Sequence, residues 1–425
     1  MRIRNGFIAA GVVSMFLVSG CGGKGNEVVN YETPIHVSHS LQFLGNKVEA
    51  ENVEVIEDII TGFMTEHPDV RVSYESIKGT EYYKALRKRE LSGNLDDIFV
   101  INNDTGLDFT AHGSLLDISE LVEKVPFTEN MLSQMEFKDG NIYWAPLIVS
   151  AFGLYCNRDL LEQYRQQVPK NLEEWEAVCD SFLSKGITPI IANNDISLKT
   201  LAIAKGFYPT YKEGNQSDVF QGLNSGEDEV SSYLEDGFSL VKAFCEKGYI
   251  DAKQALATEK TSDDLEEFIK AESPFMLTGV WAAGRMKKME PDFEFQVVPY
   301  LVLENGSVLV ENPDVCLGVL ALGGEKKLAK EFVSYFLKEE NLNRFADNQS
   351  SFSPLEGKQE PALIEIQPIV KQYKNQISVI GSDSHLRFPL WDITNKLLSG
   401  TNVSVLMKRL DERVSKSINT EEVGK

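Results

Sequence analysis

The sequence holds little that would support chemistry of its own. Its five cysteines include no CxxC pair, which excludes a cysteine-built zinc site. There are only five histidines, and the patterns HExxH, GxSxG and GxxxxGK[ST] are all missing. Those gaps remove the zinc-peptidase, serine-hydrolase and phosphate-loop readings. His36 and His39 stand three apart on a strand-like segment, so their side chains point to opposite faces and cannot chelate together. No metal and no cofactor is expected. Long hydrophobic runs are also scarce: residues 7–18 form an apolar run of about a dozen, against the roughly 20 that a membrane-spanning helix needs. Positive charge is the other shortage, with 42 Lys and Arg against 64 Asp and Glu, a net charge of −22. So acidic a chain is not drawn to nucleic acid or to an anionic bilayer.

What is present begins at the N-terminus. Arg2 and Arg4 precede the apolar run, and LVSGC follows it. A basic start, a short apolar stretch and small residues at its end describe an export signal. LVSGC resembles the lipobox of bacterial lipoproteins. The resemblance implies cleavage after residue 20 and attachment of diacylglycerol to the thiol of Cys21. Acyl chains contribute about 0.8 kcal/mol per buried methylene, and two chains anchor stably where one is marginal. Such an anchor would hold a chain that its charge alone would not. Gly22, Gly23 and Gly25 open a polar stretch to about residue 33 that behaves as a flexible tether. Gly20, Gly22 and Gly25 also match a dinucleotide fingerprint in form. No strand precedes them and no helix follows, so that reading fails.

The remainder is too long for one ordinary core, which suggests two lobes. From residue 35 it alternates strand-like and helix-like segments. IHVSHSLQF, VRVSYESI and DDIFVI read as strands. Between the first two, Val55, Ile59, Ile60 and Phe63 recur at helical spacing, and His67-Pro68 closes that helix. EYYKALRKREL is the next helix. The order βαβαβ predicts a parallel sheet flanked by helices. Ligands of such sheets sit beyond the carboxyl ends of the strands, here residues 40–46 and the polar loop 102–105. NIYWAPLIVSAFGLYCN reads as two strand-like runs joined through Pro146. Helices follow at 158–167 and 172–184, with Asn171 and Glu174 as a capping box. ITPII is a strand that opens into Asn193, Asn194 and Asp195. An acidic helix spans about 227–247, PFMLTG is a strand before a helix from about 280, and VCLGVLAL is a buried strand. Cys156, Cys179, Cys245 and Cys316 allow three disulfide connectivities. Each lies within an apolar pattern, where a free thiol packs as a small hydrophobe.

These segments, in this order, resemble the extracellular solute-binding proteins of ABC importers, in the group that takes up sugars and oligosaccharides. Three blocks carry the likeness: GNIYWAPLIVSAFGLYCNRDLLEQY with PKNLEEWEAVCDSF, then FIKAESPFMLTGVWAAGRM, then KKLAKEFVSYFLKEENLNRFADNQSSFSPLEG. Cys156, Asn171 and Glu272 depart from the family's usual residues, and His39 stands where its first strand commonly has tryptophan. The resemblance implies an α/β, two-lobed, hinged fold of the type II periplasmic-binding-protein kind, each lobe a mainly parallel sheet flanked by helices. Lobe one would be residues 33–147 plus 317–362, and lobe two 148–316 plus 363–425, with hinge connections at Pro146 and 315–318. It further implies a monomer that binds a carbohydrate and hands it to the transmembrane subunits of an ABC permease, with no reaction of its own. Receptors for a polyamine, peptide or phosphate ester, and an exported carbohydrate-active enzyme, are the competing readings. Two carboxylates facing each other across a cleft would be needed for the enzyme. Glu173-Glu174 and Asp96-Asp97 are pairs in sequence only.

Sugar hydroxyls need directional polar partners, and the apolar ring faces need flat aromatic surfaces. The candidate contacts are therefore Trp281, which matches the family's cleft tryptophan, with Asn102, Asn103, Asp104, His39, Gln42, Ser150, Phe152, Asn193, Asn194, Asp195 and Trp391.

Overall fold

The computed structural model describes residues 37–135, 140–193, 197–258, 261–357, 363–373, 378–380 and 390–423. His36, Asn194, Asp195 and the lipobox with Cys21 lie outside these residues, as do the side chains of Asn103, Asp104 and Trp391. The strands are β1 (His39–Gly45), β2 (Val70–Ser76), β3 (Ile98–Ile101), β4 (Trp144–Asn157), β5 (Ile190–Ile191), β6 (Phe275–Gly279), β7 (Phe295–Val298), β8 (Tyr300–Leu303), β9 (Gly306–Val319) and β10 (Ser378–Ile380).

The first lobe is built on β1, which pairs in parallel with β2 and with β3. Its crossover helix Ala50–Glu66 buries Val55, Ile56, Ile59, Ile60 and Phe63, one apolar stripe, and ends at His67-Pro68. The parallel pattern stops at β9, which runs antiparallel to β3. The second lobe is a mixed sheet: β4 pairs antiparallel with β6 and β7, whereas β5 pairs in parallel with β6. Its mixture follows from two long strands. β4 and β9 pair antiparallel from Trp144↔Gly318 to Phe152↔Val310, so one two-stranded ribbon serves both lobes.

β4 is continuous through Pro146, where the sequence suggested a joint between two runs. At Pro146 the strand has β9 on one side, and β6 joins only from Phe152. A missing N–H is tolerated on such an edge. Side chains alternate along the ribbon. Ala151 and Tyr155 join an apolar cluster around Phe43, Phe63, Phe99 and Phe332, while Phe152, Leu154 and Cys156 join a second around Trp175, Phe207 and Phe238.

Two further features differ from the sequence expectation or decide it. Residues 102–105 are not a loop, because Asn102 caps a helix, Asn103–Ala111, accepting from the backbone N–H and the hydroxyl of Thr105 at 3.0 and 2.7 Å. The four described cysteines are free thiols, three of them buried. Burial pushes the Cys156, Cys179 and Cys316 thiols far up, and Cys245 up to about 11, so all stay protonated and packed. Among the described residues no helix is long and apolar enough to cross a membrane.

Candidate functional site: a cavity between the lobes

Beyond the carboxyl ends of β1 and β2 lies a cavity of about 560 Å³. The first lobe contributes Asn46, Lys47, Glu49, Glu51 and Asn52 after β1, Lys78 and Gly79 after β2, and residues 348–351. The ribbon contributes Ile148, Ser150 and Asp314, and the second lobe contributes Trp281, Gly284, Arg285 and Lys288.

Trp281 is the aromatic wall, and its setting is over-determined. β6 ends at Gly279, where the Val280 N–H donates to the Ala151 carbonyl at 2.8 Å. The Tyr155 hydroxyl donates to the Gly279 carbonyl, also at 2.8 Å. These bonds fix the turn that carries Trp281. Its ring lies so close over Gly279 that a Cβ there would overlap it. Phe152, buried beside it, meets the ring edge-on at 5.3 Å and 82°. Trp281 packs against both apolar clusters and still reaches the cavity.

The polar lining is charged. Ser150 donates to Asp314 at 2.6 Å, and the other Asp314 oxygen accepts from the Val315 N–H at 2.7 Å. Val315 has φ of 49°, a region that β-branched residues avoid. Such conformations cost about 1–3 kcal/mol, and here the strain sits where β9 passes from one lobe to the other. Glu49 accepts from the Val48 N–H and from Asn52, with Lys78 at 3.7 Å. Burial pushes the Glu49 carboxyl up, but its own backbone N–H, together with the Val48 N–H, Lys78 and Asn52, holds it below the usual carboxylate range. Glu51 pairs with Lys288 across the cleft, and that hydrogen bond lowers its pKa. Ser350 crowds Gly284 from the first lobe, so close that only glycine fits there without displacing the serine hydroxyl.

Of the residues anticipated from sequence, the fold brings Trp281, Ser150 and, behind the tryptophan, Phe152 together at this cavity. Others are placed elsewhere. His39 is the first residue of β1, at the end remote from the cavity, and its Nδ1 lies 3.0 Å from the Glu325 carboxylate. The side-chain hydrogen bond with Glu325 raises its pKa. Gln42 is an exposed mid-strand residue whose N–H donates to Asp97 at 2.9 Å. β1 ends at Gly45 rather than near Phe43, so the loop that lines the cavity starts at Asn46. Asn102 is occupied as a helix cap. Asn193 is buried and bonded to Asp264. Trp391 begins the helix Trp391–Leu398, whose described residues do not line the cavity. The lining residues that sequence reasoning missed include Lys47, Lys78, Arg285, Lys288 and Asp314. A signal existed for several. Lys78 follows the carboxyl end of a strand, and Trp281, Arg285 and Lys288 recur at i, i+4 and i+7, one face of a helix.

Two α/β lobes that share a β-ribbon and enclose a polar cavity with an aromatic wall define a receptor for a small solute. The chain itself matches the family described as bacterial extracellular solute-binding protein over residues 47–342, and it belongs to that family. It is 22% identical over 352 residues to a multiple sugar-binding protein of Streptococcus mutans, covering 78% of this chain and 79% of that one. It is 28% identical over 269 residues to the maltodextrin-binding protein MdxE of Bacillus subtilis, covering 61% and 60%. The apo structure of RafE from Streptococcus pneumoniae superposes with a TM-score of 0.71 at 18% identity, covering 90% of this chain and 98% of RafE.

Proposed function

We propose that the protein captures a sugar or oligosaccharide between its lobes and delivers it to the transmembrane subunits of an ABC permease. One observation carries the reading: Trp281 is held rigidly as the wall of a polar cavity of about 560 Å³, a size suited to a small organic ligand. The names of the relatives, multiple sugar-binding and maltodextrin-binding, favour the same ligand class. In this reading the lobes divide at residues 33–147 plus 317–362 and 148–316 plus 363–425, and the β4–β9 ribbon is the hinge. Ligand shifts an open–closed equilibrium toward the closed form. The protein works as a monomer on the extracytoplasmic face, held by lipid on Cys21, and carries out no reaction itself.

A thermal-shift screen of the purified protein against mono- and oligosaccharides tests the central claim. A ligand at 100 times its dissociation constant stabilises by about 2.7 kcal/mol, so a true ligand raises the unfolding temperature clearly and is recovered intact. A ligand recovered cleaved would establish an enzyme. A response confined to peptides or polyamines would replace the sugar assignment. Cys21→Ser is expected to abolish incorporation of labelled fatty acid and to release the protein from membranes; continued labelling would place the lipid elsewhere.

Gly279→Ala probes the tryptophan wall. The added methyl overlaps the Trp281 ring, and overpacking of this kind costs about 1–3 kcal/mol. Carried into binding, that is about 5- to 150-fold in affinity. Titration calorimetry with the sugar found in the screen should show the loss while circular dichroism stays unchanged. Unaltered affinity would mean that the ring position does not matter to the ligand.

A further inference from the structure

We infer that the solute is an acidic carbohydrate, one bearing a carboxylate that is held between Lys47 and Arg285. This inference rests on the carbohydrate reading above and narrows it. The cavity is lined by four cations, Lys47, Lys78, Arg285 and Lys288, and three carboxylates, Glu49, Glu51 and Asp314. Every one of the carboxylates is committed within the protein. Glu49 is met by Lys78, Asn52 and the Val48 N–H, Glu51 by Lys288, and Asp314 by Ser150 and the Val315 N–H. These contacts also use up Lys78 and Lys288. Lys47 and Arg285 are left, and neither has an ion-pair partner among the described residues.

That surplus of positive charge is placed in a chain whose net charge is −22. Its two cations come from opposite sides of the cleft. Lys47 stands in the loop after β1, where the Tyr74 hydroxyl donates to its own carbonyl at 3.0 Å and anchors the backbone. Arg285 stands one helical turn beyond Trp281, on the same face. A sugar ring against Trp281 therefore has the guanidinium beside it and the ammonium across from it.

Closing the cleft strips water from both cations. A neutral sugar offers hydroxyl dipoles in return, whereas a carboxylate returns full charge and can take two parallel N–H bonds from arginine. Burying an unpaired charge is costly, and pairing it removes that cost. Because the two cations belong to different lobes, one carboxylate bonded to both also links ligand charge to lobe closure. A small inorganic anion would satisfy the charges but leave Trp281 without an apolar face to cover, so the ring and the cations together point to a uronic acid unit.

The test uses titration calorimetry on the full chain with matched pairs of neutral oligosaccharides and their uronic acid counterparts: galactotriose with trigalacturonate, and cellobiose with cellobiouronate. The expected result is that a uronate binds at least tenfold more tightly than its neutral partner. That preference should shrink in high salt and fall toward unity in Lys47→Gln and Arg285→Gln. A neutral sugar that binds as tightly as its uronate overturns the inference and leaves the sugar receptor intact. A preference that persists in both variants overturns the assignment to these two residues. No binding by either member of any pair, with a response to a ligand that is not a sugar, removes the carbohydrate reading and this inference with it.

Discussion

Replacing Trp281 with alanine is expected to weaken ligand binding by about 30- to 1,000-fold. The range corresponds to the roughly 2–4 kcal/mol lost when a buried aromatic anchor at the centre of a binding surface is truncated. Three features place Trp281 in that class. It packs against both apolar clusters, its edge contact with Phe152 is fixed, and its turn is pinned by Tyr155 and by the Val280 N–H. The ring is thus ordered before ligand arrives, so little of its contact energy is spent on immobilising it. Trp281→Phe keeps a flat apolar face and should retain part of the affinity. Calorimetric titration of both variants with the sugar found in the screen checks this. Full affinity in Trp281→Ala would show that the ligand stacks elsewhere.

The largest effect on stability is expected from Trp175→Ala. Trp175 is fully buried in the helix Leu172–Leu183, edge-on to Phe244 at 5.0 Å and to Phe275 at 6.2 Å. Truncating a buried aromatic of this size costs about 3–5 kcal/mol, a large share of the 5–15 kcal/mol typical of a folded domain. Phe275 starts β6, the strand that ends at the Trp281 turn, so loosening the helix also loosens the wall of the cavity. Trp175→Phe should cost much less. The indole N–H is buried without a hydrogen-bond partner among the described residues, so the phenyl ring gives up volume and no bond. Urea unfolding of the three proteins separates these cases, and equal losses in both variants would mean that the N–H has a partner after all.

Much of the fold could be read from the chain because its signals are local. The stripe Val55, Ile59, Ile60 and Phe63 needs only the helical repeat, and the helix ends where His67-Pro68 says it should. Asn171 caps its helix by accepting from the Glu174 N–H at 2.9 Å, as the capping box required. The polar triplet at residues 102–104 was read less well. Asparagine serves a turn and a helix cap equally, and only the Asn102–Thr105 contacts decide between them. Pro146 misled in a similar way, since a proline in a strand is tolerated or not according to which neighbours flank it.

The sequence by itself determined the class of protein: its charge, its lack of catalytic patterns, its alternating strands and helices, and the block around Trp281. The tertiary structure alone decided which polar residues share the cavity. Lys47 is separated from Arg285 and Asp314 by hundreds of positions, Arg285 and Asp314 stand on a helix and on a strand, and no local pattern relates the three. Where a strand stops was equally hidden, because β1 could end at Phe43 or at Gly45 with the same apolar pattern. Two residues of extension place Gln42 within the strand and leave Asn46, the last of residues 40–46, to open the loop that lines the cavity. The physical reason is that helices and strands answer to neighbours a few residues away, whereas a cleft is assembled by long-range pairing, here the β4–β9 ribbon that draws distant loops to one place.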